Sequence, residues 1–293
     1  MLDNAHQAAL RQTLVCPVCR SALRFQDDAA VCDIHGAFPV VNGVQSFRPG
    51  VASRFDKHWS AARNAPRAQS KRMAAKHFLA PILRSGGKGA CKFLDVGCGD
   101  GVHIDVLAET EDPPQMMGLD VSLEALMMAR DIKGNWLPIH GDAQALPFAD
   151  GSFDFTISFG VLAYLEDPEK GLDELVRVTN SGGLIGLWFA LKKPGVAGFM
   201  FEFARTIVPR LPRGLQRLVA DAVVPFLGLM STSSGLSLRT GSWSECREVI
   251  LVNIAPPQLW LPRLEELEDA LRERNCNIIR EEWGPEGAVW ARK

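Results

Sequence analysis

Two sets of residues in this chain have the types and spacing that could do chemistry. The first is Asp95, Gly97, Gly99 and Gly101, an Asp-x-Gly-x-Gly-x-Gly run that follows the apolar pair Phe93-Leu94. It reads as a strand, a tight turn and the start of a helix carrying Val102, Ile104, Val106 and Leu107. Glycines let the backbone turn sharply and let a ligand lie against it, while the N–H groups opening the helix face the crevice. The second set is Cys16-Pro-Val-Cys19 and Cys32-Asp-Ile-His35, two knuckles separated by twelve residues. Two such turns can close a tetrahedron of ligands around Zn²⁺. Four protein ligands leave no open position, so a structural ribbon is favoured over a catalytic metal, with a degenerate, metal-free ribbon as the other reading.

The glycine spacing narrows the ligand. The dinucleotide fingerprint G-x-G-x-x-G, counted from Gly97, requires glycine where this chain has Val102. Met116 to Asp120 then reads as a second short strand ending in a carboxylate, 25 residues after Asp95 and so one βαβ step away. A carboxylate there can accept hydrogen bonds from both hydroxyls of a ribose. Ser122 is a good N-cap for the helix that follows, which makes a second cap the less attractive role for Asp120. Trp136 to Asp142 is a third strand with an acidic residue just beyond it. The stretch LPFADGSFDFTISFGVLAYLEDP supplies a turn, a strand from Asp154 to near Phe159, and a helix preceded by Asp167-Pro168.

This ordered set resembles the class I S-adenosylmethionine-dependent methyltransferases of the type 11-like group, with Asp95 to Gly101 as their motif I. The resemblance spans about residues 90–190 and 263–293. It implies S-adenosylmethionine as cofactor, held by Asp95, Gly97, Gly99, Gly101, Asp120, Val121, Asp142, Ala143, Ser158 and Phe159. In that pattern Asp142 meets the adenine amino group, and Ser158, Phe159 and Gly160 line the methionine. Tyr164, the only tyrosine in the chain, stands where a histidine is usual; it either orients a substrate or packs as an aromatic. The ribbon, followed by FPVVNGVQSF, resembles the zinc-binding segment found ahead of many such enzymes. It assigns Cys16, Cys19, Cys32 and His35 to a structural zinc.

The elements that must position these residues follow from the same patterns. The expected fold is α/β: a Rossmann-like, seven-stranded class I methyltransferase sheet ending in an antiparallel hairpin, with a zinc ribbon and an α-helical lid insertion. The terminal hairpin argues against a dehydrogenase. The expected divisions are 1–47 for the ribbon, 48–89 for a connector and N-terminal helices, with one helix running from Pro66 to about Leu83, and 90–293 for the methyltransferase domain. Within the last, Glu169 to Thr179 reads as a helix, Ser181-Gly182-Gly183 as its stop, and Leu184 to Ala190 as a buried strand. Phe55, His58 and Trp59 share one helical face in the connector, and either close the pocket or dock a linker helix. Residues 192–262 form an apolar insertion that also carries Arg205, Arg210, Arg213 and Arg217. It reads as a lid over the acceptor or as a surface for a membrane or partner, and the lid is favoured.

Composition excludes some functions. With 293 residues, 47% hydrophobic and 23% charged, the chain suits a soluble protein with one large and one small domain. A net charge of −2 supplies no overall basic field for nucleic acid. Scattered cysteines, no signal core and no transmembrane-length apolar run imply a cytoplasmic location. Methyl transfer needs no fixed catalytic signature, since nucleophile, methyl carbon and sulfur need only be aligned and kept dry. His58 and Tyr164 are the catalytic candidates, and His103 and Glu166 are further possible bases. No Asn/Asp-Pro-Pro-Tyr/Phe or Pro-Cys motif occurs, which tells against amine methylation of adenine or glutamine and against pyrimidine carbon methylation. The expected acceptor is a small molecule or a sugar or lipid-linked biosynthetic intermediate. The alternatives are ribosomal RNA guanine-N1 methylation and a non-catalytic binding or scaffold protein.

Overall fold

In a computed structural model of the protein, the described residues are 10–51, 53, 55–56, 59, 69–85, 91–130, 132, 136–189, 203–227, 243, 247, 250–251, 260–279 and 287–293. Their centre is a parallel sheet of β5 (Lys92–Val96), β6 (Gln115–Asp120), β7 (Trp136–His140), β8 (Phe153–Phe159) and β9 (Thr179–Trp188), in the order β7-β6-β5-β8-β9. Beyond β9 lie β11 (Ala288–Arg292) and then β10 (Asn277–Ile279), both paired antiparallel. This is the expected seven-stranded methyltransferase sheet with its terminal hairpin. Phe93, Leu94 and Val96 of β5 are all buried, as the apolar side chains of a strand covered on both faces must be.

The sheet continues past β7. β1 (Arg24–Phe25), β2 (Ala29–Cys32) and β3 (Gly36–Val41) form an antiparallel ribbon, and β4 (Val44–Ser46) pairs with β3 on one side and runs parallel to β7 on the other. Gln45 is in register with Ile139 and Ser46 with His140. Leu14, Phe38 and Phe47 share one hydrophobic core with Leu94, Met117, Leu119 and Ile139. Of the segment 1–47, read from sequence as a unit of its own, the described residues 10–47 are thus joined to the domain by backbone pairing and by a common interior.

The helices begin where their caps dictate. α1 (Gln69–Phe78) and α2 (Ala80–Ser85) meet at Leu79, because Pro81 lacks an N–H and clashes with the preceding turn; a single helix through Leu83 was expected. α3 (Val102–Leu107) starts at Gly101, and α4 (Leu123–Ala129) is capped by the Ser122 hydroxyl, which accepts from the Ala125 N–H at 3.3 Å. α5 (Pro168–Val178) has Asp167 as its cap and Pro168 in its first turn. β9 begins at Thr179, immediately after α5, instead of beyond the Ser181-Gly182-Gly183 stop. A Cβ on Gly183 would lie 2.9 Å from the Asp154 carbonyl, so glycine is what lets the strand pass there.

After β9 the described insertion contains helical residues 203–207, a short turn Val208–Arg210 and α6 (Arg213–Leu227). Ala204, Val208, Val219, Ala220, Val223, Val224, Ile250 and Leu251 give it a small core of its own. α7 (Leu264–Glu273) then leads to the hairpin. No described helix is long and apolar enough to cross a membrane.

Candidate cofactor and metal sites

The carboxyl ends of β5, β6, β7 and β8 surround a cavity of about 540 Å³, a size that suits a nucleoside-bearing ligand. β5 delivers the glycine turn. The Gly97 and Cys98 N–H groups both donate to the Leu119 carbonyl, at 2.6 and 3.0 Å, folding the loop back onto β6. Gly97 has φ +79°, and a Cβ there would sit 2.1 Å from Val161 Cγ2. Gly99 has φ +54°, and its Cβ would strike the Trp59 ring at 2.7 Å. Both conditions, left-handed backbone and no room, admit only glycine.

β6 ends on Asp120. Its Oδ2 accepts from the Gly99 N–H and its Oδ1 from the Ser122 N–H, each at 2.8 Å. These bonds fix the carboxylate between the glycine loop and the start of α4 while leaving each oxygen further acceptor capacity. Burial pushes its pKa up to about 6, opposed by the two N–H groups and reinforced by the charges of Asp95 and Asp56. The acidic surroundings suit a ligand carrying positive charge. Beside Asp120, Val121 lines the cavity, and its carbonyl accepts from His140 Nε2 at 3.2 Å. His140 Nδ1 therefore accepts from the Ser46 hydroxyl, at 2.8 Å, and burial lowers its pKa, favouring the neutral ring that this pattern needs.

Asp142, two residues past β7, lines the cavity with Ala143. Its Oδ1 accepts from the Gln144 N–H at 2.9 Å, and its Oδ2 is paired with the Arg48 guanidinium. Phe159, at the end of β8, also lines the cavity and stacks on Trp188 with rings 4.4 Å apart. The other members of the expected set lie behind this wall. Asp95 is fully buried; Oδ2 faces His103 Nδ1 at 3.1 Å, while Oδ1 makes no hydrogen bond. Ser158 is equally buried and its hydroxyl has no partner. Both unpaired atoms sit near neighbouring strand ends, behind the residues that line the cavity. Gly99 and Gly101 shape the loop without lining the cavity.

The connector contributes to the cavity wall. Phe55 and Trp59 line the cavity, and Phe55 meets Tyr164 edge to face with centroids 5.7 Å apart. Asp56, between them, accepts from the Ser122 hydroxyl at 2.6 Å and the Ser53 N–H at 2.7 Å. Tyr164 lines the cavity with Glu166; His58 lies outside the described residues, and His103 is buried against Asp95. No described residue of the insertion lines the cavity; most of the segment read as a lid lies outside the described residues. Sequence reading missed Arg48, Gln144 and Asp56. Arg48 is foreshadowed only by its place two residues beyond the ribbon's last strand.

At the other end of the extended sheet, the sulfurs of Cys16, Cys19 and Cys32 and a ring nitrogen of His35 all lie within 4.8 Å of one another. Cys19 Sγ to Cys32 Sγ is 3.7 Å, and His35 Nδ1 lies 3.4 and 3.7 Å from Cys16 and Cys32. A tetrahedron with zinc–sulfur bonds of about 2.3 Å has edges of about 3.8 Å, so the donor set fits zinc. The Ser21 hydroxyl, 3.0 Å from Cys19 Sγ and 3.4 Å from Cys32 Sγ, holds both thiols down, Cys32 to about 5. That favours the thiolates a metal requires.

Comparison with known proteins agrees with this geometry. Residues 94–187 match the family model described as methyltransferase domain. The chain is 42% identical over 93 residues to the demethylmenaquinone methyltransferase of Renibacterium salmoninarum, covering 31% of this chain and 38% of that protein. It is 41% identical over 169 residues to the enzyme of the same name from Clavibacter sepedonicus, covering 56% and 59%. In each case the chain spans less than two thirds of the relative's length. Among solved structures, magnesium protoporphyrin IX methyltransferase from Synechocystis, with bound S-adenosylhomocysteine, superposes with a TM-score of 0.50 at 14% identity. That match covers 82% of this chain and 96% of that one.

Proposed function

We propose that the protein is an S-adenosylmethionine-dependent methyltransferase acting on a small or lipid-linked biosynthetic intermediate, with a structural zinc in its ribbon. The observation that carries the reading is Asp120, a buried carboxylate held by the glycine-loop N–H at the mouth of a nucleoside-sized cavity. In this reading Asp120 receives the ribose hydroxyls and Asp142 the adenine amino group. Asp95 and Ser158 back the strand ends behind the methionine end of the cavity. Cys16, Cys19, Cys32 and His35 hold the zinc.

The bound cofactor supplies a methyl carbon already activated by its sulfonium charge. The chain's own residues then align the acceptor and exclude water. Phe55, Trp59 and Phe159 form the apolar walls, and Tyr164 and Glu166 are the polar side chains placed to orient an acceptor or take its proton. The small-molecule acceptor is supported by the names of the relatives, which include demethylmenaquinone, 2-methyl-6-phytyl-1,4-hydroquinone and malonyl-acyl-carrier-protein methyltransferases. An RNA acceptor would call for a basic stripe joining ribbon and cavity. Arg20, Arg24 and Arg48 instead each face a carboxylate, on Glu174, Asp33 and Asp142.

The test is calorimetric titration with S-adenosylmethionine and S-adenosylhomocysteine, beside Asp120→Ala. Binding by the parent that collapses in the variant is the expected result. No binding of either ligand by folded parent protein would overturn the reading.

A further inference from the structure

The last strand of the ribbon sends two side chains to the cofactor half of the cavity. β4 runs parallel to β7 with Ser46 in register with His140, and the Phe47 N–H donates to the His140 carbonyl at 2.8 Å. The pairing thus continues one residue past the strand. Phe47 packs into the shared core against Phe38, with ring centroids 5.0 Å apart. Its neighbours in sequence, Ser46 and Arg48, make their contacts elsewhere, at the ends of β6 and β7.

Ser46 reaches the ribose carboxylate through a relay. The Val121 carbonyl, 3.2 Å from His140 Nε2, can only accept, so Nε2 carries the proton of the neutral ring. Nδ1 is then the acceptor for the wholly buried Ser46 hydroxyl, at 2.8 Å. The Val121 carbonyl belongs to the peptide unit whose N–H, on Ser122, donates to Asp120 Oδ1 at 2.8 Å. One peptide plane is therefore gripped at both ends, by the imidazole on its oxygen and by the carboxylate on its nitrogen. Hydrogen bonds in such a series polarise one another, so what Ser46 does to the ring is felt at Asp120. The Asp120 carbonyl also accepts from the Gly141 N–H at 3.0 Å, tying the same loop to the residue after His140. Arg48 reaches the second carboxylate directly. Its guanidinium pairs with Asp142 Oδ2, while the Gln144 N–H holds Oδ1 at 2.9 Å.

We infer that Ser46 and Arg48 are positioning residues for the adenosine end of the cofactor. Ser46 sets the aim of Asp120 through His140 and the Val121–Ser122 peptide, and Arg48 sets the aim of Asp142. The inference rests on the methyltransferase reading and extends it, because it makes the ribbon a working part of the cofactor site.

The experiment is calorimetric titration of S-adenosylhomocysteine into the parent, Ser46→Ala, Ser46→Thr, Arg48→Ala and Ser46→Ala/Arg48→Ala. Thermal melting reports that each variant is folded. Beside it, ¹⁵N NMR follows the His140 ring nitrogens, identified by their loss in His140→Gln. Ser46→Ala and Arg48→Ala should each weaken the ligand about fivefold. The double variant should lose about 25-fold, since the two side chains act on different carboxylates. Ser46→Thr keeps the hydroxyl and should stay within about twofold of the parent. In the parent the His140 ring should be neutral and protonated at Nε2, and both of its nitrogens should shift when the ligand binds. A hydroxyl that merely fills a buried space would leave them unmoved. The NMR titration needs only the parent, so it decides the matter even where a variant fails to fold. A parent that binds with the His140 nitrogens unmoved, or a folded Ser46→Ala or Arg48→Ala that binds like the parent, overturns the inference and leaves the methyltransferase reading standing. Folded parent that binds no S-adenosylhomocysteine overturns that reading, and this one with it.

Discussion

Asp120 links the proton to the ligand. Its pKa is raised from the ordinary carboxylate value to about 6, so the folded state holds its proton more tightly than the unfolded chain. The stability from this group is full below its unfolded pKa and lost as pH rises through 6, amounting to about 3 kcal/mol. A ribose needs the opposite, an ionised acceptor. S-adenosylhomocysteine affinity should be level above pH 6 and fall about tenfold per unit below it. Calorimetry from pH 4.5 to 8 checks this, and a flat profile in the parent would refute it. Arg48 is the other residue to test. Its pair with Asp142 is only partly exposed, so Arg48→Ala should weaken the same ligand by about 1 kcal/mol, near fivefold.

Among the elements, the glycine loop and the connector meet where Trp59 lies on Gly99. Trp59→Ala removes the aromatic cover, so it should speed ligand release by about tenfold while changing association little; stopped-flow binding separates the two rates. Gly97→Ala forces a Cβ into Val161 in a left-handed conformation. It should lower unfolding free energy by about 1–3 kcal/mol, and a Val161→Ala partner should restore only the steric part. Urea titration of the two variants measures this. The glycine loop is also among the elements that sequence made most legible. Motif spacing and strand-end carboxylates located β5 to β9 and the hairpin, because apolar runs and glycine turns are local signals. Arg48, Asp56 and Gln144 were not legible, since each acts through a contact made only when distant segments meet. The early start of β9 was hidden for a similar reason: two glycines usually stop a helix, but here the second, Gly183, lets a strand pass Asp154.

At the scale of the whole molecule, the eleven described strands form one continuous sheet, with the ligand cluster near one end and the terminal hairpin at the other. Because Leu14, Phe38 and Phe47 belong to the same interior as β5 and β6, loss of a ribbon metal should be felt globally. Purified protein is expected to carry one zinc per chain. Stripping it with a chelator, or substituting Cys19→Ser, should lower the thermal midpoint by at least about 5 °C; elemental analysis and calorimetric melting check both.

The parallel pairing of β4 with β7 has a consequence for synthesis. Gln45 must wait for Ile139, 94 residues later in the chain. At about 5–20 residues per second, that is roughly 5–20 s during which the nascent ribbon offers an unpaired edge. A cluster of four ligands contained within residues 16–35 can close in that interval. Zinc would then act as the timekeeper of this fold, holding the first strands in shape until the ribosome delivers the strand they are built to join.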